Sequence, residues 1–424
     1  MSIEVMMADS QLVELCERQR IGDEVLDVIS LHENQHSDIL AWMLDSKEGH
    51  GQGDEILRDL LIFASAAASE QRSLDRKSAT AKFFKKWPAS RMRTTSFGAA
   101  FAARELGIRA AERVDLFIID AQNEFVLIIE NKTRGGQRTA QLELYRESFE
   151  ALVAGNSRLK KYDYAFIALD REFDVDANAD SEAELPEEKT WLHLGYEWLK
   201  TSAARALMHV ERGNAAAKLV VSYCNRQTDW ENPEEKRATD LALQLHQNHP
   251  EAVSDLIKFS GGRLEKEWLN TTTEDAAFLF LLQNKGVAAL LKETRGMAVV
   301  QAAILSKLPT LSGDSIEHKR VSLDLCPRGW EKFVEDGFWP VFLNVRAVGE
   351  GETRYTLALC CNTRKVASEQ VADELRERLA RVDRKFGQFS ESTWRRVVMA
   401  KDVGLQEVVR LVVDVEAKLV QALS

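Results

Sequence analysis

The sequence predicts an α/β domain over residues 1–230 and an α+β domain of unknown role over residues 231–424. Apolar strands separated by helical stretches predict the first domain, because strands buried on both faces are typical of an α/β sheet. After Asp229–Pro233 the hydrophobic pattern becomes mostly helical and is then followed by strands in which apolar and polar residues alternate. This change indicates a second fold class. A chain of 424 residues also exceeds one typical core, so two domains are expected.

Helices are predicted before the first strand. Residues 11–29 and 33–44 carry amphipathic helical patterns, and Gly49–Gly53 interrupts the second of them. Asp54 is then predicted to cap a third helix, and a strand is predicted around residues 94–104.

Two apolar strands at residues 114–119 and 125–130 flank the polar turn Asp120–Glu124, which predicts a β-hairpin. Beyond the hairpin, the first domain is predicted to contain helices at 137–154 and 197–210 and strands at 164–169 and 191–194. The second domain is predicted to contain helices within 234–310, strands at 319–326, 338–347 and 354–361, and helices at 366–384 and 403–422.

The hairpin aligns three charged residues. If its strands pair symmetrically about the turn, Asp115 lies directly opposite Glu130, and opposed residues share a face with Cβ atoms about 5 Å apart. Lys132 projects from the same face because it follows Glu130 by two positions, whereas Asn131 points the other way.

Two adjacent carboxylates repel each other, and Mg²⁺ would remove that cost. Asp115, Glu130 and the backbone carbonyl of Asn131 are the predicted ligands, with Mn²⁺ as a substitute ion. The ion would lower the pKa of a bound water and offset charge on the leaving oxygen. Lys132 would orient the attacking water or stabilise charge at phosphorus. The alternative is a surface ion cluster, because three charged residues at loose spacing occur often by chance.

These residues resemble motifs of the PD-(D/E)XK nuclease superfamily. Arg113–Leu116 resembles its first acidic motif, without the proline, and Ile129–Lys132 resembles its (D/E)xK motif. Gln141 and Tyr145 resemble the QxxxY motif of the branch that includes RecB-type and lambda-exonuclease-type nucleases. The resemblance implies that both support the active site and the nucleic-acid backbone. For Tyr145 a half-buried packing role is the alternative.

The segment Glu33–Asp45, followed by Gly49–Gly53, resembles the start of one bacterial family of this superfamily, which shows E-x-x-H-S, then L-L-D-P and H-G. Ser46 replaces the proline here. The resemblance implies that Glu33 reaches the metal or a metal-bound water. A helix-capping or exposed glutamate is the alternative.

The resemblance covers about residues 30–200. It implies a restriction-endonuclease-like core, with a mixed central sheet flanked by helices, and a Mg²⁺-dependent phosphodiesterase acting on DNA in restriction, repair or phage defence. A nuclease-fold binding or regulatory module without activity is the second hypothesis, and the intact acid pair and lysine argue against it. An RNA-directed nuclease is the third. Target recognition, homo-oligomerisation and partner binding are open hypotheses for residues 231–424.

The charge balance bears on nucleic-acid binding. The chain has 56 Lys and Arg against 67 Asp and Glu, a net charge of −11, which still allows a local basic patch. Residues 72–93 hold eight basic residues and one acidic residue, interleaved with three aromatics. Nucleic-acid contacts are predicted for Lys82, Lys85, Lys86, Arg91 and Arg93. A solvated helix face beside core aromatics is the alternative. Arg113 is predicted to contact a phosphate or to form a salt bridge.

Five scattered cysteines without metal-type spacing predict reduced thiols in a cytoplasmic protein. No apolar stretch of about 18 residues occurs and the N-terminus lacks a signal-peptide pattern, so no membrane partner is expected. His36 and His50 lack the spacing of a zinc site, which favours packing and hydrogen-bonding roles for both.

Overall fold

The computed structural model of the chain divides into two compact units, Met1–Asp23 with Glu231–Ser424, and Glu24–Trp230. We call these the C-terminal unit and the hairpin unit. One boundary falls between residues 230 and 231, and residues 1–23 group with the second half of the chain. The described residues are 3–21, 26, 31–71, 73–109, 112–132, 139–171, 173, 186–228, 230–259, 276–311, 313–319, 321–334, 337–348, 354–363, 366–388 and 394–423.

The first two helices, α1 (Ile3–Met7) and α2 (Ser10–Ile21), explain that placement. Their side chains Met6, Leu12 and Leu15 are buried in an apolar cluster with helices from the second half of the chain. The predicted helix 11–29 therefore begins as expected, and residues 22–25 and 27–30 of it lie outside the described residues.

A five-stranded mixed sheet forms the centre of the hairpin unit, in the order β1-β4-β5-β6-β7. β1, β4 and β5 are antiparallel neighbours, whereas β5, β6 and β7 run parallel. The elements are α3 (Glu33–Leu44), α4 (Glu55–Glu70), α5 (Ala79–Lys86), α6 (Ala89–Thr94), β1 (Ala100–Arg104), β2 (Gly107–Arg109), β3 (Glu112–Arg113), β4 (Leu116–Asp120), β5 (Phe125–Lys132), α7 (Thr139–Gly155), β6 (Asp163–Asp170), β7 (Leu192–Leu194), α8 (Leu199–Glu211) and α9 (Ala217–Gln227).

The β4–β5 hairpin has the predicted register. Leu116 pairs with Ile129, and the ladder continues in step to the turn, so the predicted alignment of the two strands is confirmed. The Asp120 carboxylate accepts hydrogen bonds from the backbone nitrogens of the two central turn residues, at 3.0 and 2.8 Å. This local contact closes the turn and holds the register.

The two faces of β5 pack against different helices. Its odd-numbered side chains join an apolar cluster with α3, α4, α8 and α9, and its even-numbered ones pack against α7. Because side chains alternate along a strand, Glu130 and Lys132 continue the α7 face, and Asn131 continues the α3 face.

Two local predictions differ from the structure, and one helix was not predicted. Asp54 precedes α4, but its side chain makes no capping bond and instead accepts from the backbone nitrogen of Phe97 at 2.5 Å. The strand predicted around 94–104 begins only at Ala100, because residues 89–94 are helical. α9 was not predicted, since its buried positions include polar side chains that obscure the apolar period.

The C-terminal unit contains an antiparallel five-stranded sheet in the order β12-β11-β10-β9-β8, packed with helices. Its further elements are α10 (Pro233–Asn248), α11 (Pro250–Phe259), α12 (Ala276–Gln283), α13 (Lys285–Lys307), β8 (Ile316–His318), β9 (Ser322–Leu325), β10 (Val341–Ala347), β11 (Arg354–Asn362), α14 (Glu369–Val382), β12 (Trp394–Gly404) and α15 (Leu405–Ala422). The two units confirm the fold class predicted from the sequence.

Strand β12 was missed by the sequence reading. It lies at the edge of its sheet and carries charged residues at 395, 396, 401 and 402, so it lacks the apolar run that reveals a central strand. Within the described part of the chain, no helix is long and apolar enough to cross a membrane.

Candidate active site

The three residues aligned by the hairpin meet at its open end. Asp115 lies just before β4, one position beyond the paired residue Leu116, and the same register places it opposite Glu130. The backbone nitrogen of Asn131 donates to Asp115 Oδ2 at 2.7 Å. This bond joins the first acidic residue to the strand that carries the second.

Glu130 is a buried carboxyl, with 1% of its surface exposed. Its Oε1 accepts from Lys132 Nζ at 3.2 Å and from Gln141 Nε2 at 2.9 Å. Its buried Oε2 has no hydrogen-bond partner among the residues that the structure describes. Burial, and then the negative charge of Asp115, raise the pKa of Glu130 to about 7, while the Lys132 ammonium opposes the rise. The carboxylate form would therefore be stabilised by an added cation.

The QxxxY pair of α7 supports this carboxyl. Gln141 Nε2 lies 3.0 Å from the Tyr145 hydroxyl, which donates to the backbone carbonyl of Arg113 at 2.8 Å. Tyr145 is 9% exposed, and burial raises its pKa. A continuous chain of hydrogen bonds thus runs from Glu130 to the segment that enters the first acidic motif.

The donor set fits a hard divalent cation. Mg²⁺ takes one or two carboxylates from a protein and completes its shell with water and substrate oxygens. Asp115 and Glu130 supply two carboxylates, and the buried Oε2 of Glu130, which no described residue hydrogen-bonds, is an oxygen that a cation would satisfy. No group of three or more His, Cys, Asp or Glu side chains able to hold a metal occurs among the described residues.

Residues 23–225 match the family model of the PD-(D/E)XK nuclease superfamily. No curated protein and no solved structure matches the chain. The match contains the hairpin and the QxxxY helix and ends before Glu231, where the second segment of the C-terminal unit begins. Superfamily proteins are typically nucleases that use divalent metals. We call residues 23–225 the PD-(D/E)XK region.

Glu33 begins α3 in the PD-(D/E)XK region, but its side chain lies outside the described residues. Residues 133–138, which follow Lys132, also lie outside the described residues. A metal-directed role for Glu33 therefore stays a prediction.

Arg113 has an exposed guanidinium at the edge of this site. Its Nη1 lies 3.6 Å from Glu105 Oε2, with 64% of the side chain exposed. Arg104 bridges Glu105, at 2.8 Å, and Asp38 of α3, at 2.5 Å. The salt bridge expected for Arg113 is thus present, and its length and exposure leave the guanidinium accessible to a phosphate.

Residues 72–93, which we call the basic stretch, include α5 and most of α6. Its interleaved aromatics belong to the core, because the buried rings of Phe83 and Trp87 lie 5.7 and 5.5 Å from that of Phe125. The basic side chains predicted to contact nucleic acid are exposed, namely Lys82, Lys85, Lys86, Arg91 and Arg93. The stretch is therefore a charged surface above core aromatics, without exposed rings for base stacking.

This stretch and the acid pair lie at opposite ends of β5. The aromatics beneath the basic side chains pack on Phe125, the first residue of β5, whereas Glu130 lies near the end of the strand. At a rise of about 3.3 Å per residue, Phe125 and Glu130 are roughly 16 Å apart along the strand. The basic side chains therefore lie away from the acid pair.

The two histidines of the N-terminal segment have structural contacts. His50 is fully buried, its Nε2 lies 3.0 Å from the carbonyl of Asp45, and burial lowers its pKa. His36 Nδ1 lies 2.9 Å from Gln227 Nε2. Both contacts agree with the packing and hydrogen-bonding roles favoured by the sequence.

Two residues near the site were missed by the sequence reading. Ser37 and Tyr196 both hydrogen-bond the side chain of Asn131. Ser37 belongs to the E-x-x-H-S segment, which was a signal for it. Tyr196 stands between β7 and α8 in a stretch without a motif, so no local pattern points to it.

Proposed function

We propose that the PD-(D/E)XK region is a metal-dependent nuclease that hydrolyses phosphodiester bonds, with DNA as the favoured substrate. The observation that carries the proposal is the buried Glu130 carboxyl, whose Oε2 has no hydrogen-bond partner among the described residues and whose ionisation is opposed by burial and by the charge of Asp115. A structural carboxyl would be satisfied by protein donors. One that serves a cation keeps an oxygen available for it.

In this proposal Asp115, Glu130 and the backbone carbonyl of Asn131 hold Mg²⁺, or Mn²⁺ in its place, with Glu33 as a further ligand. The bound ion would activate water and offset charge on the leaving oxygen. Gln141 fixes the orientation of the Glu130 carboxyl through the bond to Oε1.

Lys132 is the proposed assistant to the nucleophile. Its Nζ contacts Glu130 and its side chain is only 15% exposed, so its charge acts in a site with little solvent screening. From this position the ammonium orients the attacking water or stabilises the charge that develops at phosphorus.

The substrate is proposed to contact the protein through Arg113, Tyr145 and the exposed basic side chains of α5 and α6. Backbone phosphates are the group that such side chains recognise regardless of sequence. A role in restriction, repair or phage defence rests on the superfamily alone.

Cleavage assays test the proposal with linear, circular and single-stranded DNA and with RNA, each with Mg²⁺, Mn²⁺ or EDTA. We expect metal-dependent cleavage of DNA and a loss of about 100-fold or more in Lys132→Ala. Lys292→Ala, which removes an exposed lysine of α13, is the matched control and should cleave like the wild type.

Three results would change this assignment. If no substrate is cleaved under any condition, the region is a binding or regulatory module. If Lys132→Ala retains full activity, the catalytic role of this site is wrong. If only RNA is cleaved, the enzyme is an RNA-directed nuclease.

A further inference from the structure

The side chain of Asn131 is buried and held at both ends. It is 0% exposed and points to the face of β5 opposite the acid pair. Its Nδ2 donates to Ser37 Oγ at 3.0 Å, and its Oδ1 accepts from the Tyr196 hydroxyl. A buried amide bonded through both its oxygen and its nitrogen is fixed in orientation.

The two partners of Asn131 are themselves anchored in the core. Ser37 and Tyr196 are 1% and 2% exposed. Ser37 lies one helical turn after Glu33 in α3. The Tyr196 ring also packs edge-on against that of Tyr223 of α9, with ring centroids 6.5 Å apart.

The main chain of Asn131 is part of the candidate site. Its backbone nitrogen donates to Asp115 Oδ2 at 2.7 Å, and the residue separates Glu130 from Lys132 in β5. A change in the Asn131 backbone torsions would therefore turn its carbonyl and move the hydrogen-bond donor of Asp115. The buried side chain opposes that change from the other face of the sheet.

We propose that Ser37 and Tyr196 are positioning residues that fix the Asn131 peptide, and through it the metal-ligand set on the opposite face of β5. The inference rests on the proposed function, because it assigns these hydrogen bonds a role in metal binding. Residues that hydrogen-bond to metal ligands typically change metal affinity by about 10–100-fold when they are removed.

The test is Mn²⁺ binding by the full chain, measured by titration calorimetry. Ser37→Ala removes the acceptor of the Asn131 amide, and Tyr196→Phe removes its donor with a single atom. Ser202→Ala is the matched control, because Ser202 is also a buried helical serine, with a 2.7 Å bond from its hydroxyl to Asp59. Thermal unfolding of each variant accompanies the titration.

We expect Ser37→Ala and Tyr196→Phe to weaken Mn²⁺ binding by about tenfold or more, and Ser202→Ala to leave it unchanged at a comparable loss of thermal stability. If Ser37→Ala does not fold, Tyr196→Phe alone decides the outcome. Unchanged affinity, or an equal loss in Ser202→Ala, would overturn the inference, as would a wild type that binds no Mn²⁺. Intact Mn²⁺ binding without cleavage of any nucleic acid would overturn the proposed nuclease function alone.

Discussion

Replacing Glu130 by Gln should stabilise the metal-free protein at pH 8 and leave its stability near pH 4.5 almost unchanged. In the folded chain, burial and the charge of Asp115 raise the pKa of Glu130 from 4.5 to about 7. A carboxyl with a raised pKa binds its proton more tightly in the folded state than in the unfolded state. Ionisation of Glu130 therefore lowers the free energy of unfolding. This loss is negligible below about pH 4.5, increases between pH 4.5 and pH 7, and stays constant above pH 7.

The magnitude follows from the size of the rise in pKa. At about 1.4 kcal/mol per pKa unit, a rise from 4.5 to about 7 corresponds to about 3 kcal/mol of unfolding free energy at pH 8. The Glu130→Gln variant has no charge to bury and keeps one oxygen that can accept from Lys132 and Gln141. Its stability should therefore exceed that of the wild type by up to about 3 kcal/mol at pH 8 in EDTA.

Urea unfolding in EDTA between pH 4.5 and pH 8, followed by circular dichroism, measures this difference. Glu143→Gln is the matched control, because Glu143 is exposed on α7 and its substitution should change stability little at either pH. Added Mg²⁺ should stabilise the wild type more than Glu130→Gln at pH 8, since an ion that binds the folded state adds to its stability. The reasoning is refuted if Glu130→Gln is no more stable than the wild type at pH 8, or gains equally at pH 4.5.

Two further predictions concern the helix beside the site and the basic stretch. Tyr145→Phe removes the acceptor of Gln141 and the donor to the Arg113 carbonyl, so it should lower the unfolding free energy by about 1–3 kcal/mol in urea titrations. A variant as stable as the wild type would show that the chain of hydrogen bonds contributes nothing. Lys85→Ala and Arg93→Ala should each weaken DNA binding uniformly across sequences and reduce the slope of log affinity against log salt by about 1. An unchanged slope in fluorescence anisotropy would exclude both residues from the DNA interface.

The sequence alone determined the arrangement at the open end of the hairpin. Side chains alternate with a period of two in strands, and a polar turn between two apolar runs fixes where the strands reverse. Leu116 pairs with Ile129, as that reasoning requires, and the next position in the register brings Asp115 to Glu130. Gln141 and Tyr145 were predicted differently, from their resemblance to the QxxxY motif, and their spacing of one helical turn places both on one face of α7. Local periodicity thus gives the faces, and the motif resemblance gives the roles.

Only the tertiary structure decided what holds this arrangement in place. Asn131 is bonded to Ser37 and Tyr196, which are 94 and 65 residues away in the sequence, and contacts at such separations leave no periodic signal. The same is true of residues 1–23, whose apolar side chains are buried with those of the second half of the chain. The tertiary structure also decided the role of the aromatics in the basic stretch. The sequence does not distinguish a buried ring from one that stacks on a base, and the packing on Phe125 of β5 shows that these rings are buried. Periodicity fixes which face a side chain occupies, but packing between distant segments decides what meets that face.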